Sequence, residues 1–183
     1  MAARAVPRPL AQLPNALTVV RVLLIPVFVV LVLRADGEGS VAAAVVFGWA
    51  GASDQVDGWL ARRWHVESEF GKYVDPLADR LMIDAAVILL VLDGRLPWPA
   101  LAVILVRDGA LLFGYGFVRT RGYEFAVNLV GKVATGVLYT GLTVLVAWDA
   151  GTVWPLWIFY AGLALALVAA ALYGLSALRA VRH

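Results

Sequence analysis

Six apolar runs, each close to the roughly 20 residues that span a lipid bilayer, are set off from one another by charged residues or by Gly and Pro. A chain with that pattern has few folds open to it, because backbone N–H and C=O groups in hydrocarbon must be satisfied within their own segment. The expected architecture is all-α: a polytopic membrane protein with six transmembrane helices, forming a single domain over residues 1–183. The runs predict helices at about Leu17–Leu33, Ser40–Leu60, Val74–Leu92, Pro97–Val118, Asn128–Trp148 and Trp154–Leu178. Only 15% of the residues are charged, against about 25% in soluble domains, and the mean hydropathy is +0.84. Arg4 and Arg8 ahead of the first run resemble a secretory signal, but Leu33-Arg34-Ala35-Asp36-Gly37 is a poor cleavage site. An uncleaved first span is expected instead.

The basic residues give the topology. Arg34 and Arg95 are the only ones expected in the loops after the first, third and fifth helices. The N-terminal arm, the loops after the second and fourth helices and the C-terminus carry Arg4, Arg8, Arg62, Arg63, Lys72, Arg119, Arg121, Arg179 and Arg182. The positive-inside rule then puts both termini in the cytoplasm, in a cell membrane. Trp98, Trp148, Trp154 and Trp157 fall at the opposite helix ends, as an interfacial aromatic belt does. The net charge of +2 comes with no long basic block, which gives no reason to expect nucleic acid. The absence of cysteine excludes disulfides, thiolate metal sites and thiol catalysis.

One stretch breaks the apolar pattern. Between Asp54 and Asp79 lie four aspartates in two helically spaced pairs, Asp54 with Asp57 and Asp75 with Asp79. The second helix offers 14 residues, Ser40 to Ser53, before Asp54; these cover roughly 21 Å of a hydrocarbon core of about 30 Å. To finish crossing, it must continue through Asp54 and Asp57. An aspartate at the membrane centre costs about 2.5–3.5 kcal/mol on insertion scales, so these carboxylates need a cavity or a counter-charge. At 100° per residue, Gly58 and Ala61 share their face and leave a hollow beside them. Gly71, one turn before Asp75, opens the approach on the next helix.

Four carboxylates aimed at one point repel each other unless protons or cations lie between them. All-oxygen ligands favour hard cations, Mg²⁺ first, with Mn²⁺ or Ca²⁺ as alternatives. Two ions held by Asp54, Asp57, Asp75 and Asp79 would form the clamp used in phosphoryl and phosphodiester chemistry. Incidental readings stand beside this one. Asp75 before Pro76 suits a helix N-cap, Asp57-Gly58 suits a turn, and Asp54 suits a wet loop. A channel or transporter for divalent cations would also place carboxylates in a membrane, but it needs polar residues along the whole path. An intramembrane aspartyl protease would use one pair and leave the other unexplained.

Asp54-x-x-Asp57-Gly58-x-x-Ala61-Arg62, eight residues, then Gly71-x-x-x-Asp75-x-x-x-Asp79 resembles the signature of the CDP-alcohol phosphatidyltransferase family. Pro14-Asn15-Ala16-Leu17-Thr18-Val19-Val20-Arg21 is similar to the opening of its bacterial phosphatidylglycerophosphate and cardiolipin synthase branch. The resemblance implies a homodimeric six-helix membrane enzyme, open to the cytoplasm, that transfers a phosphatidyl group from CDP-diacylglycerol to an alcohol with release of CMP. It implies two Mg²⁺ ions on Asp54, Asp57, Asp75 and Asp79, with Asp79 also the general base. Thr18, Val19, Val20, Arg21, Gly58, Ala61, Arg62, Ser68 and Gly71 correspond to the CDP-diacylglycerol site. A phosphate on the acceptor suits the cations Arg107, Arg119 and Lys132. Glycerol 3-phosphate is the first expectation for the acceptor. Phosphatidylglycerol is the alternative, towards which Arg107-Asp108 leans. A salt bridge of Arg107 with Asp84 or Asp108 is the plainer reading of that arginine, and Arg80 and Asp84, four apart, are spaced to pair.

Overall fold

A computed structural model describes the backbone of residues 13–64, 69–119 and 129–181, and the side chains of residues 16–53, 77–111 and 129–175. Every regular element among them is helical: α1 (Leu13–Leu33), α2 (Val41–Trp64), α3 (Glu69–Leu92), α4 (Trp98–Arg119), α5 (Leu129–Ala147) and α6 (Trp154–Val181). These are the six expected helices. Three of them, α1, α5 and α6, are long and apolar enough to cross a membrane by composition alone. The other three are interrupted in ways visible in the sequence. The apolar part of α2 stops at Ser53, α3 carries Arg80 and Asp84, and α4 carries Arg107 and Asp108.

Four boundaries differ from expectation by three residues or more. The first helix begins at Leu13 rather than Leu17, the second runs to Trp64 rather than Leu60, the third begins at Glu69 rather than Val74, and the sixth runs to Val181 rather than Leu178. Gly71 and Pro76 read as breakers in isolation. The helix nonetheless continues through both, with Pro76, its eighth residue, leaving the Lys72 carbonyl without a helical donor.

The core is built where the helices meet. Phe28 of α1, Phe47 of α2, Met82, Ile83 and Leu90 of α3, Ile104 of α4, Leu138 and Leu142 of α5 and Phe159 of α6 are all fully buried. The Phe47 ring stacks on Tyr139 at 4.3 Å and meets Phe28 at 5.3 Å, so α1, α2 and α5 share one aromatic seam. Helices α5 and α6 form the most extensive contact, because small residues let their backbones approach. A Cβ on Gly162 would lie 2.5 Å from the Leu138 nitrogen, and one on Gly141 would lie 2.7 Å from the Phe159 Cα. Leu23, Leu92, Val106, Leu129 and Trp157 point outward and are exposed. An apolar surface of that kind suits lipid and not water.

Three loops are tied together at one end of the bundle. The Gly39 N–H donates to Asp149 Oδ1 at 3.0 Å, and the Ser40 N–H donates to the Val146 carbonyl at 2.8 Å. Ser40 also caps α2, its Oγ accepting from the Ala43 N–H at 3.2 Å. The α3 C-terminus closes through Gly94, whose φ of 67° allows the N–H groups of Gly94 and Arg95 to reach the Val91 and Leu90 carbonyls at 3.0 and 2.8 Å. That turn aims Arg95 at the end of α5, where its guanidinium donates to the Leu145 and Trp148 carbonyls. Burial lowers the Arg95 pKa below the usual guanidinium range, against the opposite pull of Asp93 and Asp149. Trp148 and Trp154 meet edge to face at 5.2 Å on the same rim.

Candidate active site

The backbone is helical at all four motif aspartates, Asp54 and Asp57 in α2 and Asp75 and Asp79 in α3. The incidental readings fail at this level. Asp57-Gly58 lies inside a helix and not in a turn, Asp54 is not in a loop, and Asp75 stands well inside α3 and not at its N-cap. Helices α2 and α3 touch and run in opposite directions, with their rim ends at Val41 and Leu92. Asp54 is 13 residues from one rim end and Asp79 is 13 from the other, so both lie about 20 Å along their helices. Asp57 and Asp75 follow one turn deeper. The register therefore brings two carboxylate-bearing turns to a common depth.

Gly58 and Ala61 continue the Asp54 and Asp57 face of α2, and Gly71 precedes Asp75 by one turn. The side chains of Asp54, Asp57, Ala61, Arg62, Asp75 and Arg119, with any contacts of Gly58 and Gly71, lie outside the described residues, and so does Ser68 altogether. Of the four aspartates only Asp79 has a described side chain, which is half-buried. Among the described residues no three His, Asp or Glu side chains gather around one point. The donor set itself, carboxylate oxygens alone, fits a hard divalent ion.

The α1 segment Thr18–Arg21 splits between two faces. Thr18 and Arg21, three apart, are buried, whereas Val19 and Val20 are exposed on the outside. Arg21 Nε donates to the Ala50 carbonyl at 3.2 Å, and Ser53 Oγ donates to the same oxygen at 2.8 Å. Ala50 lies one helical turn before Asp54, so a charged residue of α1 fastens the backbone of the helix carrying the first aspartate pair.

The other buried charges form a group between α3 and α4. Arg107 Nη1 lies 2.8 Å from Asp108 Oδ1, the plainer of the two sequence readings of that arginine. Arg80 departs from expectation. Instead of pairing with Asp84 on its own helix, it crosses to α4, donating from Nη1 to the Asp108 main-chain carbonyl at 2.5 Å and standing 3.9 Å from Asp108 Oδ1. The interhelical carbonyl wins because a guanidinium can satisfy a neighbouring helix and a carboxylate at once. Among the described residues, Asp84 Oδ1, Arg107 Nε and Asp108 Oδ2 are buried without a hydrogen-bond partner. Lys132 is exposed near the start of α5. Sequence reasoning missed the link through Asp108. Its signal was present in two arginines and two aspartates within two otherwise apolar runs.

The profile of the family described as CDP-alcohol phosphatidyltransferase matches residues 11–173. The chain is 34% identical over 167 residues to the CDP-diacylglycerol–glycerol-3-phosphate 3-phosphatidyltransferase of Escherichia coli (strain K12), covering 88% of each chain. It is 35% identical over 136 residues to the Bacillus subtilis (strain 168) protein of the same name, covering 68% of this chain and 70% of that one. To the Pseudomonas fluorescens protein of that name it is 44% identical over 99 residues, 53% of this chain and 51% of that protein. With the motif on two adjoining helices and the match running nearly end to end, this chain belongs to the CDP-alcohol phosphatidyltransferase family and is an integral membrane transferase of phospholipid biosynthesis.

Proposed function

We propose that this chain transfers the phosphatidyl group of CDP-diacylglycerol to glycerol 3-phosphate and releases CMP. The reading is carried by the common depth of Asp54, Asp57, Asp75 and Asp79 on two antiparallel helices. The names of the Escherichia coli and Bacillus subtilis relatives favour glycerol 3-phosphate over phosphatidylglycerol as acceptor.

Divalent-metal dependence is general in the family. Two Mg²⁺ ions, with Mn²⁺ as substitute, would be held by Asp54, Asp57, Asp75 and Asp79. When bound they would neutralise the donor diphosphate and the charge of departing CMP. The rest falls to the chain itself. Gly58, Ala61 and Gly71 leave room for the cytidine and diphosphate, with Arg62 and Ser68 beside them. Thr18 and Arg21 shape the inner wall of the donor site, and Val19 and Val20 face the side from which an acyl chain enters. Arg107, Arg119 and Lys132 attract the acceptor phosphate. Asp79 takes the proton of the acceptor hydroxyl as its oxygen bonds to the phosphorus carrying diacylglycerol. The bond from that phosphorus to the CMP oxygen breaks, and CMP leaves with the electron pair. Six spans, cytoplasmic termini, a site facing the cytoplasmic leaflet of the cell membrane and a homodimer complete the proposal.

The test is an assay of purified protein with labelled CDP-diacylglycerol against glycerol 3-phosphate, phosphatidylglycerol, inositol phosphate and serine, with and without a chelator. CMP release should require glycerol 3-phosphate and stop on chelation. Release driven by phosphatidylglycerol alone would make cardiolipin the product. No release with any alcohol would sink the transferase reading.

A further inference from the structure

Charged residues inside membrane helices are costly unless they are paired or functional. A pair that only held α3 to α4 would often be no better than well-packed apolar residues. Arg80, Asp84, Arg107 and Asp108 therefore call for a reason beyond bundle stability, and their geometry centres on Asp108. One of its carboxylate oxygens lies 2.8 Å from Arg107 and 3.9 Å from Arg80, while its main-chain carbonyl also accepts from Arg80. Arg80 directly follows Asp79 in α3. Arg107 is the innermost of the cations proposed for the acceptor phosphate. A single side chain thus touches both the turn bearing the proposed base and the arginine proposed to hold the incoming alcohol.

We propose that Asp108 is a positioning residue that couples acceptor binding to the general base, by sharing one carboxylate oxygen between Arg107 and Arg80. This rests on the transferase reading above. The cluster is incompletely satisfied among the described residues, since Arg107 Nε and Asp108 Oδ2 are both buried without a hydrogen-bond partner. The Asp108 side chain is 5% exposed and that of Arg107 10%, so bulk water does not meet that demand. A polar substrate entering beside Arg107 can. Its phosphate would meet Arg107 at Nε while Asp108 keeps the guanidinium aimed, and the same carboxylate would hold Arg80 and with it the α3 turn that ends in Asp79. Acceptor binding and base placement would then depend on one carboxylate.

The experiment compares Asp108→Asn, Asp108→Glu, Arg80→Lys and Asp79→Asn with the unaltered protein in detergent, reading KM for each substrate, kcat and the unfolding temperature. Asp108→Asn should raise KM for glycerol 3-phosphate about tenfold and lower kcat about tenfold, leaving KM for CDP-diacylglycerol within about twofold. Arg80→Lys keeps the charge but loses the planar guanidinium whose Nη1 meets both the Asp108 carbonyl and its carboxylate, so kcat should fall with KM for the acceptor unchanged. Asp108→Glu, which keeps the shared carboxylate, should recover most of both losses. Parallel loss of donor and acceptor affinity in Asp108→Asn, or no change in either, overturns the coupling. If Asp108→Asn does not fold, Arg80→Lys decides, and an unchanged kcat there overturns it. Failure of the parent reading looks different: no CMP release from the unaltered protein with any alcohol sinks the transferase, and an Asp79→Asn protein that stays active sinks the base, whatever Asp108 does.

Discussion

Asp79 is flanked by Ala78, which is buried, and by Arg80, which is anchored to another helix. Its main chain is thus held from both sides, which suits the proposed role of meeting a substrate proton within hydrogen-bond reach. Asparagine is nearly the same shape but does not take that proton. Asp79→Asn should lower CMP release by at least about 10²-fold with the unfolding temperature preserved, and turnover near the original level would refute the assignment. The residue types of the proposed site were legible in the sequence because the aspartates sit at helical spacings within 26 residues, Asp54 to Asp79. The contacts of Arg80 and Arg21 were not. Their acceptors, the carbonyls of Asp108 and Ala50, are 28 and 29 residues away, and main-chain oxygens carry no sequence signal.

At the scale of elements, hydrophobic runs gave the number and order of the helices, since crossing an apolar layer demands both length and continuity. The ends of α2 and α3 were less legible. Around Gly71 and Pro76 local propensity opposes a helix that the fold nonetheless maintains, while Ser40, Gly94 and the rim hydrogen bonds set other ends by specific capping. The α5 to α6 contact supplies its own prediction. Gly162→Val would push a branched side chain against the main chain of Leu138, which lies 2.5 Å from even a Cβ. Backbone cannot swing aside as a side chain can, so stability should fall by about 1–3 kcal/mol. Thermal unfolding in detergent reads this directly, and an unchanged midpoint would show that the helices separate freely.

Across the whole molecule, the hydrogen-bonded rim and the motif aspartates stand at separate levels of the helices. Gly39, Ser40, Arg95 and Asp149 knit the rim, and the aspartate pairs lie roughly 20 Å or more along the helices from it. The outer surface between these levels is apolar, and a hydrophobic stretch responds to the thickness of its bilayer by tilting. Vesicles of graded acyl length should therefore change the turnover of this protein while barely altering soluble-substrate affinity. A flat profile would mean that the helices do not tilt or that the site does not follow them.

If the helices tilt, the knitted rim would be the pivot of a pair of tongs. Over an arm of about 20 Å, a swing of a few degrees displaces the tip by an ångström or more, comparable to the tolerance of reacting groups. Replacing Arg95, remote from every atom that reacts, would loosen that pivot and blur the grip at the far end.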